Sequence, residues 1–130
     1  MELAALSNMP DYRVSGSDTD PRGWNVVDAN EVALGNTEDL IIDVNGLQAR
    51  YIVCSISRGA QRSVLIPVGF AWLDAEQSIV HLDFVTLADV DKLPTYGGLP
   101  LSPEFEAEQE RAVTGAKPEA PPAKIVRRNT

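Results

Sequence analysis

Residues 39–57 read DLIIDVNGLQARYIVCSIS and carry the clearest structural signal in the chain. The run at 39–44 is apolar and β-branched, and it stops at Asn45-Gly46. Asn-Gly is the strongest short signal for a β-hairpin, because both residues accept positive φ. The next run, 49–57, alternates and therefore predicts a strand with two distinct faces. One face carries Tyr51, Val53, Ser55 and Ser57, and the other carries Ile52, Cys54 and Ile56.

Short apolar runs of the same kind lie on both sides of this hairpin. They occupy residues 24–28, 31–34, 63–68, 70–73 and 79–84. Gly35 interrupts the second of these runs, so we expect it to separate two strands. Short strands at this spacing, without helices between them, are typical of an antiparallel sandwich or small barrel. Because Pro67 cannot donate to a neighbouring strand, we expect its run at an edge or a bulge, where a partner can add.

One complete helix signal follows the strands. Ser102 can cap the helix, Pro103 suits its first position, and glutamates follow in the first turn, where the helix dipole favours anions. We expect the helix to end near Val113 and to dock through Phe105, since so short a helix is marginal alone. A further helical turn is predicted at 87–91.

Composition divides the chain into three parts. Residues 1–9 are expected to be an N-terminal extension, and residues 10–113 to be the folded domain with its short helix. Residues 114–130 contain a Pro-rich linker followed by a basic tail. We expect 116–130 to be flexible unless a partner is present. The candidate partner contacts in this tail are Lys124, Arg127 and Arg128.

The charge balance and the rarest residue types narrow the function. The chain has 11 Lys and Arg against 19 Asp and Glu, so its net charge is −8. Nucleic-acid binding needs clustered cations, and no nucleic-acid partner is therefore expected. The single Cys54 and the single His81 rule out an internal disulfide and any metal site that needs two thiolates or two imidazoles. No nucleophile elbow, metal-ligand spacing or phosphate-binding glycine loop occurs, so we predict no enzyme activity, no cofactor and no metal.

Several short motifs follow one another between residues 18 and 102. They are DPRGWNVVDA at 20–29, Gly35, DLIID at 39–43, RYIV at 50–53, VLIPVGF at 64–70, TL at 86–87, DK at 91–92 and YGG at 96–98. In this order and spacing they resemble the PRC-barrel domain. More narrowly, they resemble the cytoplasmic barrel of the photosynthetic reaction-centre H subunit of purple bacteria.

The resemblance implies both a fold and a role. The fold would be mainly β, a small antiparallel PRC-type barrel with a short C-terminal helix and a flexible tail. The role would be that of a non-catalytic assembly subunit that caps the cytoplasmic quinone side of a reaction centre and assists proton delivery. By position, Asp89 is the best proton-relay candidate, and Asp91 and His81 are weaker ones. The H subunit has an acidic pair where this chain has Asp89 and Val90, so one carboxylate is kept.

Five charged residues of these motifs are candidates for contacting a partner or bracing the barrel, namely Asp20, Arg22, Asp39, Asp43 and Arg50. Asp20 and Arg22 flank Pro21 in a predicted turn. Asp43 and Arg50 lie on either side of the hairpin turn. A cross-strand ion pair between them would contribute roughly 0–1 kcal/mol.

The resemblance also bears on partners and location. The H subunit carries a transmembrane helix, whereas no apolar run here reaches the ~20 residues that span a bilayer. The expected partners are therefore the core membrane subunits of the reaction centre and a separate transmembrane anchor chain. The expected location is cytoplasmic, peripheral to the inner or photosynthetic membrane. Two alternatives stay open: a free-standing soluble homodimeric interaction module, and a barrel like that of ribosome maturation factors, which binds a ribosomal protein.

Overall fold

The predicted hairpin lies at the centre of a curled β-sheet in the computed structural model. The structure describes residues 2–14, 19–57, 61–82, 86–113 and 125–127. Within these ranges the strands are β1 (Leu3–Ala5), β2 (Tyr12–Val14), β3 (Asn25–Val27), β4 (Ala33–Asp43), β5 (Gln48–Ile56), β6 (Arg62–Pro67), β7 (Ala71–Asp74), β8 (Ile79–Leu82) and β9 (Ile125–Arg127). The helices are α1 (Leu87–Asp91) and α2 (Pro103–Val113), and 3₁₀ turns lie at Leu6–Asn8 and Val68–Phe70.

The main sheet follows the strand order β6-β5-β4-β3-β8-β7, and β1 pairs with the second half of β4. The sheet curls into a half-barrel around one apolar core, so the predicted mainly β barrel is confirmed. One strand pair departs from the antiparallel prediction, because β3 and β8 are parallel. The prediction assumed that strands that follow one another along the chain pair with each other. β3 and β8 are distant in the sequence, and they become neighbours only when the strands between them have folded.

The runs at 31–34 and 39–44 form one strand and not the two that were predicted. β4 continues from Ala33 to Asp43, with Gly35 inside it, opposite Val26 of β3 and Ile56 of β5. The β3–β4 register shifts beside Gly35, as in a β-bulge. The glycine therefore permits a bulge and a close approach of strands, and it does not end the strand.

The central hairpin is confirmed, with a longer turn than Asn-Gly alone would form. The turn covers residues 44–47, and the left-handed conformation falls on Leu47, at a φ of 50°. The Asp43 carboxylate accepts hydrogen bonds from the backbone N–H groups of Asn45 and Gly46, at 3.1 and 3.3 Å. Asp43 thus holds the turn through an Asx-type arrangement.

Burial confirms the two faces predicted for β5. The inner face contributes to the barrel core through Ile52, Cys54 and Ile56. The outer face has its own apolar cluster, whose buried members are Ile41, Val53 and Leu65. Residues of β1, of the segment 96–101 and of α2 pack over this second cluster, and Phe105 is among them. The predicted docking of the helix through Phe105 is therefore confirmed.

Both predicted helices are present, and a side chain caps each of them. Thr86 and Asp89 form a capping box at the start of α1, with the Asp89 carboxylate accepting from the Thr86 N–H at 3.0 Å. The Phe105 N–H donates to Ser102 Oγ at 3.0 Å, so Ser102 caps α2 as predicted. α2 begins at Pro103 and ends at Val113, the bounds expected from the sequence.

Two short strands outside the predicted folded domain pair with other strands. β1, within the residues treated as an N-terminal extension, pairs with β4. β9, within the predicted flexible tail, pairs with β2 in the register Tyr12↔Arg127. The backbone at 125–127 is a strand, which suits its β-branched Ile125 and Val126, and the expected flexibility of 116–130 stays a prediction. The remaining tail residues, 116–124 and 128–130, lie outside the described residues.

Candidate interaction surface

The edge strand β6 is covered by the chain itself. β6 lies at one edge of the sheet and ends at Pro67, and an edge position was predicted from this proline. The Ser63 carbonyl accepts a hydrogen bond from the Tyr96 N–H at 2.8 Å, and the Leu65 carbonyl accepts one from Gln109 Nε2 at 2.7 Å. The expectation that a partner adds at this edge is therefore corrected, because these two carbonyls are already occupied.

The opposite edge of the sheet carries an exposed aromatic side chain. β7 pairs with β8 along one side only, and it ends the sheet path. Trp72 on this strand is 54 % exposed and is the one exposed large hydrophobic residue among the described residues. It lies opposite His81 of β8, which in turn lies opposite Val27 of β3. We call these three residues, together with Asp74, the Trp72 surface.

His81 packs against Trp72, and Asp74 closes the turn that follows β7. The Trp72 and His81 rings have centroids 4.6 Å apart and planes tilted by 53°. His81 Nε2 lies 3.9 Å from Asp74 Oδ2 and has no hydrogen-bond partner. The Asp74 carboxylate also accepts from the N–H groups of Glu76 and Gln77, at 3.1 and 3.2 Å, in the turn that follows β7. The Trp72 ring therefore packs against the His81 ring and does not extend freely into water.

Asp20 and Arg22 pair with each other in the predicted turn. Arg22 Nη2 lies 2.7 Å from Asp20 Oδ2, and Arg22 Nε is within 3.1 Å of both Asp20 oxygens. The hydrogen bonding to Asp20 raises the pKa of the Arg22 guanidinium, against the opposing effect of burial. The turn itself closes through the Trp24 N–H and the Pro21 carbonyl at 3.0 Å, with Gly23 at a φ of 89°.

The other three candidates for bracing the barrel, Asp39, Asp43 and Arg50, lie in different parts of the structure and do not form one cluster. The Asp39 carboxylate accepts from the backbone N–H of Ser7 at 3.2 Å and from the Ser7 hydroxyl, which ties the N-terminal segment to β4. Asp43 faces Gln48 across the hairpin, and Arg50 falls at the register shift between the pairs Ile41↔Tyr51 and Ile42↔Ala49. Among the described residues no ion pair joins Asp43 to Arg50, so the predicted pair does not form.

The structure does not bring the three proton-relay candidates into one cluster. The Asp89 carboxylate is engaged by the N–H and hydroxyl of Thr86, at 3.0 and 3.1 Å. Asp91 is exposed at the end of α1, and His81 contacts Trp72 and Asp74. Of the tail candidates, Arg127 lies in β9, whereas Lys124 and Arg128 lie outside the described residues.

Two buried or half-buried charged residues escaped the sequence analysis. Asp28 is 2 % exposed, and its carboxylate accepts three backbone N–H groups, one of them from Leu87 at 2.8 Å. Arg62 donates to the carbonyls of Val90 and Leu93, at 2.8 and 2.7 Å, and so closes the C-terminal end of α1. The DAN sequence at 28–30 signals a turn, but nothing local reveals the contacts with α1.

Cys54, on the inner face of β5, is fully buried and forms no disulfide. Burial raises the pKa of its thiol to about 12, and the charge of Glu38 adds to the rise. At pH 8 only about one molecule in 10,000 would then carry the reactive thiolate. We expect the native protein to react with iodoacetamide at least about 100-fold more slowly than the urea-unfolded chain. Equal rates in the two states would contradict this burial.

Neither a metal cluster nor a membrane span is found in the part of the chain that the structure describes. No group of three His, Cys, Asp or Glu side chains in these ranges is arranged to hold a metal ion. In the same ranges, no helix is both long and apolar enough to pass through a bilayer.

The comparison with known families agrees with the geometry. A family model for the PRC-barrel domain matches residues 15–88, more than half of the chain. The match includes β3 to β8 and reaches into α1, whereas α2 and the paired terminal strands lie outside it. Domains of this kind are generally non-catalytic and mediate protein–protein interaction. On this match and this fold, the chain belongs to the PRC-barrel domain family.

Proposed function

We propose that this chain is a non-catalytic assembly subunit that caps the cytoplasmic quinone side of a membrane photosynthetic reaction centre. The observation that carries the proposal is the Trp72 surface, an exposed aromatic residue on an edge strand of an interaction domain. The order of the motifs between residues 18 and 102 supports the choice of complex. The chain would be held to the membrane by the core subunits and by a separate transmembrane anchor chain.

The Trp72 surface has the properties of a protein-binding hot spot. Tryptophan is enriched at the centres of interfaces, where it buries a large area at a small entropic cost. A partner strand that adds to β7 would also gain main-chain hydrogen bonds. The net charge of −8 favours a partner with a basic surface and speeds its approach. Arg50 is exposed on β5, away from β7 in the sheet order, so it is a candidate for a separate partner contact.

Proton delivery is a second part of the proposal. Exposed carboxylates such as Asp91 can pass protons through water towards a quinone site. His81 is a weaker candidate, because its ring packs against Trp72. The engagement of Asp89 with Thr86 favours a structural role for that residue.

Co-purification tests the assembly role. In cells that make the native protein, we expect the full chain to be retained with an integral membrane complex after gentle detergent-free lysis. Trp72→Ala should weaken this retention by tenfold or more, as for a hot-spot residue. Glu108→Ala, on the exposed side of α2, is the control and should leave retention unchanged. A protein found wholly in the soluble fraction, with no complex retaining it, would rule out the reaction-centre role.

A homodimeric interaction module is the second candidate, because the open edge of β7 can also pair with β7 of a second copy. Light scattering over a range of protein concentrations distinguishes the two. A dimer that Trp72→Ala dissociates, in a protein without a membrane complex, would favour this candidate over the first.

A further inference from the structure

The Trp72 surface carries negative charge beside its exposed ring. Trp72 and Asp74 lie on the same face of β7, because the His81 ring packs against the indole and its Nε2 lies 3.9 Å from Asp74 Oδ2. The turn that follows β7 adds the exposed Glu76. β3, β7, β8 and the turn between β7 and β8 contain no Lys or Arg. These elements therefore offer an aromatic ring next to carboxylates and supply no permanent cation to balance them.

A strand added to β7 would place one of its side chains directly beside Trp72. β7 pairs with β8 on one side and ends the sheet path of the described residues, so its other side is the edge that an extended segment can join. Trp72 lies opposite His81, and a residue of the added strand opposite Trp72 would continue this row on the same face. Asp74, two residues along, would be the diagonal neighbour of that residue at roughly 7–8 Å, within reach of a long side chain.

A basic side chain opposite Trp72 gains from both of these neighbours. Its cation is attracted by the negative face of the indole, which is accessible because Trp72 is more than half exposed, and also by the Asp74 carboxylate. Arginine suits the position better than lysine, because its planar guanidinium stacks on aromatic rings and is more weakly hydrated. An acidic side chain would be repelled by Asp74, and an uncharged one would gain the ring contact alone.

A second copy of this chain would not supply the cation. If two β7 strands pair with both Trp72 rings on one face, both Asp74 carboxylates lie on that face too. The strand itself, Ala71–Asp74, has no Lys or Arg to pair with them. The charges therefore favour a different protein over a homodimer at this edge.

We propose that the partner of the Trp72 surface is an extended segment of another protein, which adds to β7 and places an arginine opposite Trp72. The guanidinium lies against the indole on the side away from His81, within the field of Asp74. This inference rests on the assembly role proposed above and specifies the chemistry of the partner.

Two pentapeptides that differ in one side chain test the proposal by NMR titration of the full chain. The probes are TVRVT and TVQVT, both acetylated and amidated so that the arginine is their one charge. We expect saturable shift changes at the backbone amides of β7 and at the Trp72 indole N–H. TVQVT should bind about fivefold more weakly, as the loss of a cation–π contact and an exposed ion pair predicts. Equal affinities, changes that do not include β7, or no saturable binding of TVRVT would overturn the proposal.

Two aspartates in equivalent turns provide matched variants. Asp74 and Asp43 each accept two backbone N–H groups of the turn that follows their strand, and asparagine keeps the oxygen that accepts them. Asp74→Asn should weaken TVRVT about threefold and leave TVQVT unchanged. Asp43→Asn makes the same charge change away from β7 and should alter neither. Equal weakening by both variants would reduce the effect to general attraction by an acidic protein and overturn the proposal.

The outcome is separable from that of the assembly role. TVRVT that binds at β7 in a protein that no membrane complex retains would preserve this inference and remove the reaction-centre role. Retention that depends on Trp72, without a preference for TVRVT over TVQVT, would do the reverse. A concentration-dependent dimer that Trp72→Ala dissociates would assign the edge to a second copy and overturn the inference.

Discussion

Replacing Gly35 with alanine should prevent the chain from folding. A Cβ at this position would lie 1.7 Å from the backbone oxygen of Ser55, and 2.8 Å from the carbonyl carbon of that residue. Both atoms belong to the backbone of β5, so no rotation of a side chain relieves the clash. The β4–β5 pairing would have to open at its Gly35–Ile56 end, next to the inner core. We expect a loss above about 4 kcal/mol, comparable with the whole stability of many domains.

Gly97→Ala is the control for this experiment. A Cβ on Gly97 would meet no heavy atom within 4 Å, and we expect its stability to change by less than about 0.5 kcal/mol. The measurement is urea unfolding followed by circular dichroism, with the yield of folded protein as a second readout. A Gly35→Ala protein that folds and unfolds at the midpoint of the original chain would show that β5 does not approach β4 this closely.

Local patterns predicted much of this fold because they act over a few residues. The alternation at 49–57, the turn at Asn45-Gly46 and the cap at Ser102 each depend on neighbours in the chain. The continuity of β4 through Gly35 could not be predicted in that way. In the sequence, a glycine that ends a strand cannot be distinguished from a glycine that lets a neighbouring backbone come close. The partner strand must be known first.

The candidate surfaces were harder to predict for the same reason. Trp72 lies in a run that was correctly assigned as a strand, but its exposure depends on which elements cover the outer face. The C-terminal segment covers that face at β4, β5 and β6, and Trp72 at the other edge stays exposed. Gln109 was one polar residue among many in α2, and only the docked helix shows that it reaches the edge of β6.

Asp28 is the second residue whose replacement should cost most of the stability. Its Oδ1 accepts from the N–H groups of Asn30 and Val32, at 2.9 and 2.8 Å, and its Oδ2 accepts from the N–H of Leu87 at 2.8 Å. One buried carboxylate thus joins the β3–β4 loop to the start of α1. Asp28→Ala would leave these three backbone N–H groups without their acceptor. A donor that stays buried and unsatisfied costs about 1–3 kcal/mol. Allowing for local rearrangement and water entry, we expect a loss of about 3–5 kcal/mol.

Two further variants separate the contact with α1 from the loop contacts. Asp28→Asn keeps an oxygen for Asn30 and Val32 but turns an N–H₂ towards the N–H of Leu87, so we expect about half the loss seen with alanine. Asp43→Ala is the control, because that carboxylate also accepts two backbone N–H groups but lies in an exposed turn that water can solvate. Its loss should stay near 1 kcal/mol. Urea midpoints give the order of the three variants, and amide exchange at Leu87 should accelerate in both Asp28 variants. If Asp28→Ala were no less stable than Asp43→Ala, the carboxylate would not be what joins α1 to the barrel.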